Sequence, residues 1–459
     1  MTRQQKNLMS NNMKHIELIA LSCVCMAVAS CSALGKYQPV GQVSDTLYGE
    51  VVGSRDTTGL AAFSWEEMFT DPILQGHIRC ALENNLDLQV AGEHIAQAEA
   101  QLTGAKLAFI PTLGVTPGAQ AAFSGNGLKD SAANFGVAAT SSWQLSIFRL
   151  INNKKAAEVT ASQMEDYRQA VRSKVIASVA NTYIALLMLD SQIETVKDMQ
   201  TSWMASVETV IALKDAGAAD QVAVSQYQAN LNAINITLMT LEKDIVSTEN
   251  AMNLLLAREP GCAVERGRLE EQTVPESIST GVPVLMLTLR PDIRAAQKDM
   301  ELAHYATRGA VLNYFPSLSI NGDAALLSPL VSIAANLTAP ILNAGRNVAA
   351  LREAESRQRE TKLVFTRTLL EAGKEVNDAC LAYTSCRKMA DDHRARVLAL
   401  NQAREDTEYL MLNSLEKTYL DVLYANTNYL EAKMTAISNE AQMLQSVVTL
   451  YEALGGGSI

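Results

Sequence analysis

Positive charge is in short supply in this chain. Its 38 Lys and Arg are outnumbered by 49 Asp and Glu, leaving a net charge of -11, and no basic stripe gathers what there is. Phosphate binding needs clustered Lys and Arg, so a nucleic-acid surface is excluded. Long hydrophobic runs are missing too. The apolar stretch from Ile16 through Val28 is too short to cross a bilayer comfortably as a helix. The seven cysteines show no pairing or metal-ligand spacing, and Cys380 and Cys386, six apart in a helical pattern, point away from each other. Catalytic signatures are equally absent: there is no Gly-x-Ser-x-Gly, no His-Glu-x-x-His and no phosphate loop, and the five histidines are scattered. Ser414-Leu415-Glu416-Lys417 fits Ser-x-x-Lys but has no companion motifs, and reads as a solvated turn. Neither an enzyme nor a cofactor or metal site is expected.

What is there is a stretch used twice. Arg290-Pro291-Asp292-Ile293 leads into an Ala-rich run through Ala303 and Gly309, then Phe315-Pro316-Ser317-Leu318. About 205 residues earlier, Asn85-Leu86-Asp87-Leu88 leads through Ala98 and Gly104 to Ile110-Pro111-Thr112-Leu113. Asp87 pairs with Asp292, Gly104 with Gly309 and Pro111 with Pro316, so the chain has two similar halves. In both, the period changes at the proline. Proline lacks the amide a continuing helix needs and pushes its predecessor into extended backbone, so helix gives way to alternating apolar and polar residues.

These alternations predict two hairpins, with strands at about 112–123 and 135–147 in the first half and about 317–326 and 330–341 in the second. Each segment is long enough for a tilted membrane strand. A helix from Asp71-Pro72 to about Ala108 precedes the first hairpin. After it, residues 151–213 contain no proline or glycine, and Leu186, Leu189, Ile193, Val196, Met199, Trp203, Val207 and Val210 recur near the 3.5-residue coiled-coil spacing. Further helices are expected over about 221–257, up to Asn313, and over about 343–411 and 419–454. The organisation predicted is a signal segment over 1–30, a tether over 31–63, a first repeat over 64–257, a non-helical linker over 258–289, a second repeat over 290–454 and a disordered tail over 455–459.

Four strands cannot close a barrel, and open strand edges in lipid leave backbone amides unpaired at several kcal/mol each. Other copies of the chain must complete the sheet; three would supply twelve strands. Long helices with small and polar residues among the apolar positions suit a wall around a channel. The fold class expected is mainly α with membrane β: a long antiparallel, coiled-coil-like helical tunnel plus four barrel strands per protomer, in two structural repeats.

Trp65-x-x-x-Phe69-x-Asp71-Pro72-x-Leu74, Ala81-Leu82-x-Asn84-Asn85-x-Asp87-Leu88, Arg290-Pro291-Asp292-Ile293 and Phe315-Pro316, in this order, resemble the outer-membrane factors, the TolC-like exit ducts of Gram-negative efflux and secretion systems. The likeness covers roughly residues 64–454. Val28-Ala29-Ser30-Cys31 resembles the lipobox of bacterial lipoproteins, which implies lipidation at Cys31 and the NodT-like lipoprotein branch; Met13 offers an alternative start. The resemblance implies a homotrimer in the outer membrane, lipid-anchored, with its helical part in the periplasm. Its implied partners are a periplasmic adaptor (membrane fusion) protein, an inner-membrane pump and outer-membrane lipid, and its implied role is a passive exit for drugs and toxic compounds. Two places depart from the family pattern, Ser146-Ile147-Phe148-Arg149 and Pro340-Ile341-Leu342-Asn343-Ala344-Gly345-Arg346, where altered local geometry is expected.

The resemblance also implies a periplasmic constriction. Asp421 matches an acid that a trimer would place in a ring, Lys417 matches a basic gate residue, and Tyr424 stands where some members carry a second acid. Like charges near one axis repel and bind cations. The competing reading makes Asp421 a solvated helix residue. Ala223 stands where family members carry a latching acid. Gly217 and Asn413 are expected in left-handed backbone at the two tip turns, where an adaptor would dock. Two alternatives stand beside the small-molecule duct: a non-conducting coiled-coil envelope lipoprotein, and an exit duct for protein secretion.

Overall fold

The computed structural model describes residue 37 and residues 64–122, 132–273, 290–325, 331–338, 345–413 and 417–456. The expected signal segment, Cys31 and the rest of the tether other than Tyr37 lie outside the described residues, as do linker residues 274–289.

The elements run α1 (Trp65–Met68), α2 (Pro72–Asn84), α3 (Leu86–Leu107), β1 (Thr112–Ala122), β2 (Ala132–Leu145), α4 (Ile147–Asp215), α5 (Gln221–Leu255), a 3-10 turn (Leu269–Glu271), α6 (Pro291–Leu312), β3 (Ser317–Ala325), β4 (Val331–Thr338), α7 (Arg346–Asn413) and α8 (Tyr419–Ala453). Lengths recur in order: α3 and α6 have 22 residues each, α4 and α7 have 69 and 68, α5 and α8 have 35 each. At 1.5 Å per residue, α4 and α7 are each about 100 Å long. By its contacts the chain divides into two units.

The first unit holds the strands, with residues 101–159 and 297–362. They form one antiparallel sheet in the order β1-β2-β3-β4, and among the described residues nothing pairs with the outer edges of β1 and β4. The register sorts side chains by chemistry. Leu113, Val115, Val137, Trp143, Leu318, Ile320, Ile333 and Leu337 share one face, while Thr112, Thr140, Ser142, Gln144, Ser319, Asn321, Asp323 and Asn336 share the other. Leu113 is 82% exposed, Ile333 77% and Leu337 62%, while Trp143, Leu318 and Ile320 on the inner strands are half-buried. At the junctions with the helices, Arg149 donates to the Asn313 carboxamide oxygen, Asn347 to the Asn313 carbonyl at 3.1 Å, and buried Asn152 to the Tyr305 carbonyl at 3.0 Å. Arg149, in the first departure from the family pattern, thus ties the start of α4 to the end of α6.

The second unit holds residues 43–100, 160–296 and 363–459. All eight apolar positions from Leu186 to Val210 on α4 are buried, and from Leu189 onward they pack with Val224, Tyr227, Ile234 and Leu241 of α5. Burying each such side chain is worth about 1.5–3 kcal/mol, which is what keeps so long a helix pair together. A polar node secures α2: Asp71 caps it by accepting from the Ile73 amide at 2.8 Å, and its other oxygen accepts from Tyr183 at 2.7 Å and Gln272 at 2.9 Å. A second node is buried Arg290, which donates to Asp292, to Glu375 at 2.7 Å and to the Ala453 carbonyl at 2.8 Å. Burial alone would lower the Arg290 pKa, but the two carboxylates raise it.

Three expectations are corrected. The first helix is interrupted at Asn85, whose side-chain oxygen accepts from the amides of Asp87 at 3.0 Å and Leu88 at 3.2 Å and so starts a new helix. Asn413 is the last residue of α7 and donates to the Tyr409 carbonyl one turn back, so it is helical and not left-handed. Among the described residues, the non-glycine residue at positive φ is instead Ala257, at 54°. Gly455 and Gly456 of the expected disordered tail are buried: their amides close the end of α8 onto the carbonyls of Glu452 and Tyr451, and Ser173 donates to Gly456 at 2.8 Å.

Candidate functional site at the helix turns

Two turns of the second unit carry the residues singled out in the sequence. In the α4-α5 turn, Gly217 has φ 76°. Its amide bonds the Lys214 carbonyl at 2.9 Å, and that of Ala218 bonds Leu213 at 2.8 Å, a Schellman closure of α4. Asp220 then caps α5 by accepting from the Ala223 amide at 2.8 Å. Ala223 is fully buried.

The α7-α8 turn carries Lys417, Asp421 and Tyr424; residues 414–416 lie outside the described ones. Thr418 caps α8 in a reciprocal box with Asp421. One Asp421 oxygen accepts from both the amide and the hydroxyl of Thr418, each at 2.8 Å, while the Thr418 hydroxyl faces the Asp421 amide at 3.4 Å. These bonds, first from the amide and then from the hydroxyl, hold the Asp421 carboxyl below the usual carboxylate range, and the Lys417 charge adds to the effect. Tyr424, one turn on from Asp421, is 59% exposed. Lys417 and Asp421 thus lie near enough for their charges to interact, and Asp421 caps the start of α8.

Sequence reading missed the residues behind this turn. The hydroxyl of buried Tyr227 on α5 donates to the Tyr419 carbonyl at 3.0 Å, and the Tyr227 ring lies 5.2 Å from that of Trp203 and 6.5 Å from that of Tyr419. Thr-x-x-Asp before an apolar run was a visible capping signal. A contact reaching across 192 residues leaves no local signature.

Long helices paired across tight turns, together with a sheet that divides apolar from polar faces, make the fold that of an outer-membrane channel subunit. A family model described as outer membrane efflux protein matches residues 78–258 and 282–456, and the chain belongs to that family. It is 26% identical over 460 residues to the cation efflux system protein CusC of Escherichia coli O6:H1, covering 95% of this chain and 97% of that protein. It is 24% identical to the probable outer membrane lipoprotein SilC of Salmonella typhimurium, covering 96% and 99%. Among solved structures, the open state of the Neisseria gonorrhoeae MtrE outer membrane channel superposes with a TM-score of 0.80 at 22% identity, covering 92% of this chain and 98% of that one. The chain is accordingly an efflux channel component of the outer membrane.

Proposed function

We propose that three copies of this chain pool their strands into one twelve-stranded barrel, forming a passive exit duct for drugs and other small toxic compounds. A periplasmic adaptor and an inner-membrane pump deliver the cargo and supply the energy. The observation that carries this reading is the four-stranded sheet with one apolar face, one polar face and, among the described residues, two unpaired edges. An apolar face of this kind suits lipid, a polar one suits a water-filled lumen, and the edges call for identical neighbours. Lipid attached at Cys31 anchors the mature chain, Asp421, Lys417 and Tyr424 line the narrow periplasmic end, and the Gly217 and Asn413 turns meet the adaptor. The test is extraction from outer membranes followed by reconstitution. A detergent-stable trimer that conducts in planar bilayers is expected; a monomer, or a trimer without conductance, overturns the reading in favour of an envelope tether.

A further inference from the structure

The foot of the sheet is where the chain's scarce cations collect. Thr112 pairs with Ser142, Leu145 with Leu318 and Ser317 with Thr338, so all four strands meet their helices at one end. In the helical turns nearest that end stand Lys106 of α3, Arg149, Lys154 and Lys155 of α4, Arg308 of α6, and Arg346 and Arg352 of α7. Each lies within about 12 Å, measured along its helix, of the end that faces the strands. The same stretches, 101–111, 146–157, 302–316 and 345–352, contain no Asp or Glu, in a chain whose net charge is -11. These cations are spread over both halves of the sequence and form no stripe there; the fold brings them to one level. We infer that they make a collar that binds the anionic phospholipid headgroups of the periplasmic leaflet of the outer membrane. The inference rests on the reading that the sheet stands in the bilayer.

Chemistry within the chain does not account for this gathering. Among the described residues Lys106, Arg149, Arg346 and Arg352 form no ion pair, and Lys154 and Lys155 share the single carboxylate of Glu158, at 3.5 and 3.7 Å. A cation in the last turn of α3 suits the helix dipole. Arg149 and Arg346, however, stand in the first turns of α4 and α7, where the dipole disfavours cations and neither helix places an acid. An anion from outside satisfies both these side chains and the open amides of the helix starts. Its source follows from the neighbours. Leu107, Ile110, Ile147, Phe148 and Ile151 are exposed in or next to the same turns. Apolar side chains set among Lys and Arg suit the boundary between acyl chains and headgroups, whereas a water-filled lumen gives no reason for them.

The experiment titrates the trimer, in uncharged detergent, with pyrene-labelled phosphatidylglycerol and pyrene-labelled phosphatidylcholine at low and high salt, energy transfer from tryptophan reporting binding. It compares the unaltered protein with two collar variants, Lys154→Gln/Lys155→Gln and Arg346→Gln/Arg352→Gln. The control is Arg387→Gln/Lys388→Gln, which removes two exposed cations of α7 outside the collar stretches. The unaltered trimer and the control are expected to prefer phosphatidylglycerol, with a preference that shrinks at high salt. Each collar variant should lose about fivefold in phosphatidylglycerol affinity per cation removed and leave phosphatidylcholine binding unchanged. Equal affinity of the unaltered trimer for the two lipids, or phosphatidylglycerol binding indifferent to salt, overturns the collar, and neither measurement needs a variant to fold. Collar variants that bind phosphatidylglycerol as tightly as the unaltered protein overturn it too; a change in their reversal potential would then assign the cations to the lumen. A control that loses as much as the collar variants makes the attraction one of overall charge and overturns the site. An unaltered chain that yields no membrane-embedded trimer sinks the duct reading and the collar together, an outcome seen before any lipid is added.

Discussion

One carboxylate oxygen of Asp421 accepts both the amide and the hydroxyl of Thr418, each at 2.8 Å. The acid that the family resemblance assigns to a pore ring is therefore also the residue that starts α8. Replacing Asp421 with Ala should change single-channel conductance or its block by divalent cations, and should speed amide exchange over the first turn of α8. Identical traces and identical exchange would remove it from both roles. Because the folded pKa is depressed, the cap contributes fully above about pH 4 and is lost only as pH falls through the lower folded value. Divalent block should accordingly be flat between pH 5 and pH 8.

Gly217 and Ala257 occupy the same kind of position, the left-handed residue closing a long helix, at φ 76° and 54°. A side chain at Gly217 would meet nothing within 4 Å, so Gly217→Ala tests backbone strain alone. It should cost about 1 kcal/mol, and Ala257→Gly should gain about as much. Thermal unfolding of the two variants should shift in opposite directions.

Asp71 should give the second unit an acid-sensitive step. Burial pushes its carboxyl up, but the bonds from Tyr183, Gln272 and the amides of Ile73 and Leu74 outweigh this and leave the pKa lowered. The stabilisation is present above the unfolded value of about 3.9 and disappears as pH drops through the folded one. Tyr183→Phe removes a donor, so the step should move to higher pH; Asp71→Asn should abolish it. Melting temperature followed from pH 2 to pH 7 reads both.

The two faces of the sheet should respond oppositely to charge. Ile320 pairs with Trp143 and Ala335 on the apolar face, and its neighbour Asn321 lies on the polar one. Ile320→Arg should cost about 2–4 kcal/mol per chain near mid-bilayer and reduce trimer yield. Asn321→Arg should assemble normally and alter ion selectivity, read from reversal potentials in a salt gradient.

Much of this architecture was legible because it is local and repeated. Pro111 and Pro316 immediately precede β1 and β3, and the 3.5-residue spacing from Leu186 to Val210 marks side chains that are buried. What escaped is what single residues do in three dimensions. Asn85 fits a helix interior as well as a cap, and the apolar period runs through it undisturbed. Ala257 is a strong helix former that carries no sign of left-handed backbone, and a run of glycines such as Gly455-Gly456 reads as tail until Ser173 is seen to meet it. Asn413 satisfies its side chain on its own helix, so a turn former ended up inside it. Lys417 and Asp421 were approached through resemblance, whereas the Thr418 cap on Asp421 and the Tyr227 bond to Tyr419 came only from the structure.

The raw outer margins of β1 and β4 bear on biogenesis. On the proposed shared barrel, a solitary subunit would leave two strand edges open to lipid, so insertion coupled to assembly, with a rate that climbs steeply with the supply of chains, is the expected behaviour. On the same proposal, a variant able to join through one margin but not the other would strand its siblings half built and be dominant over a normal copy in the same cell.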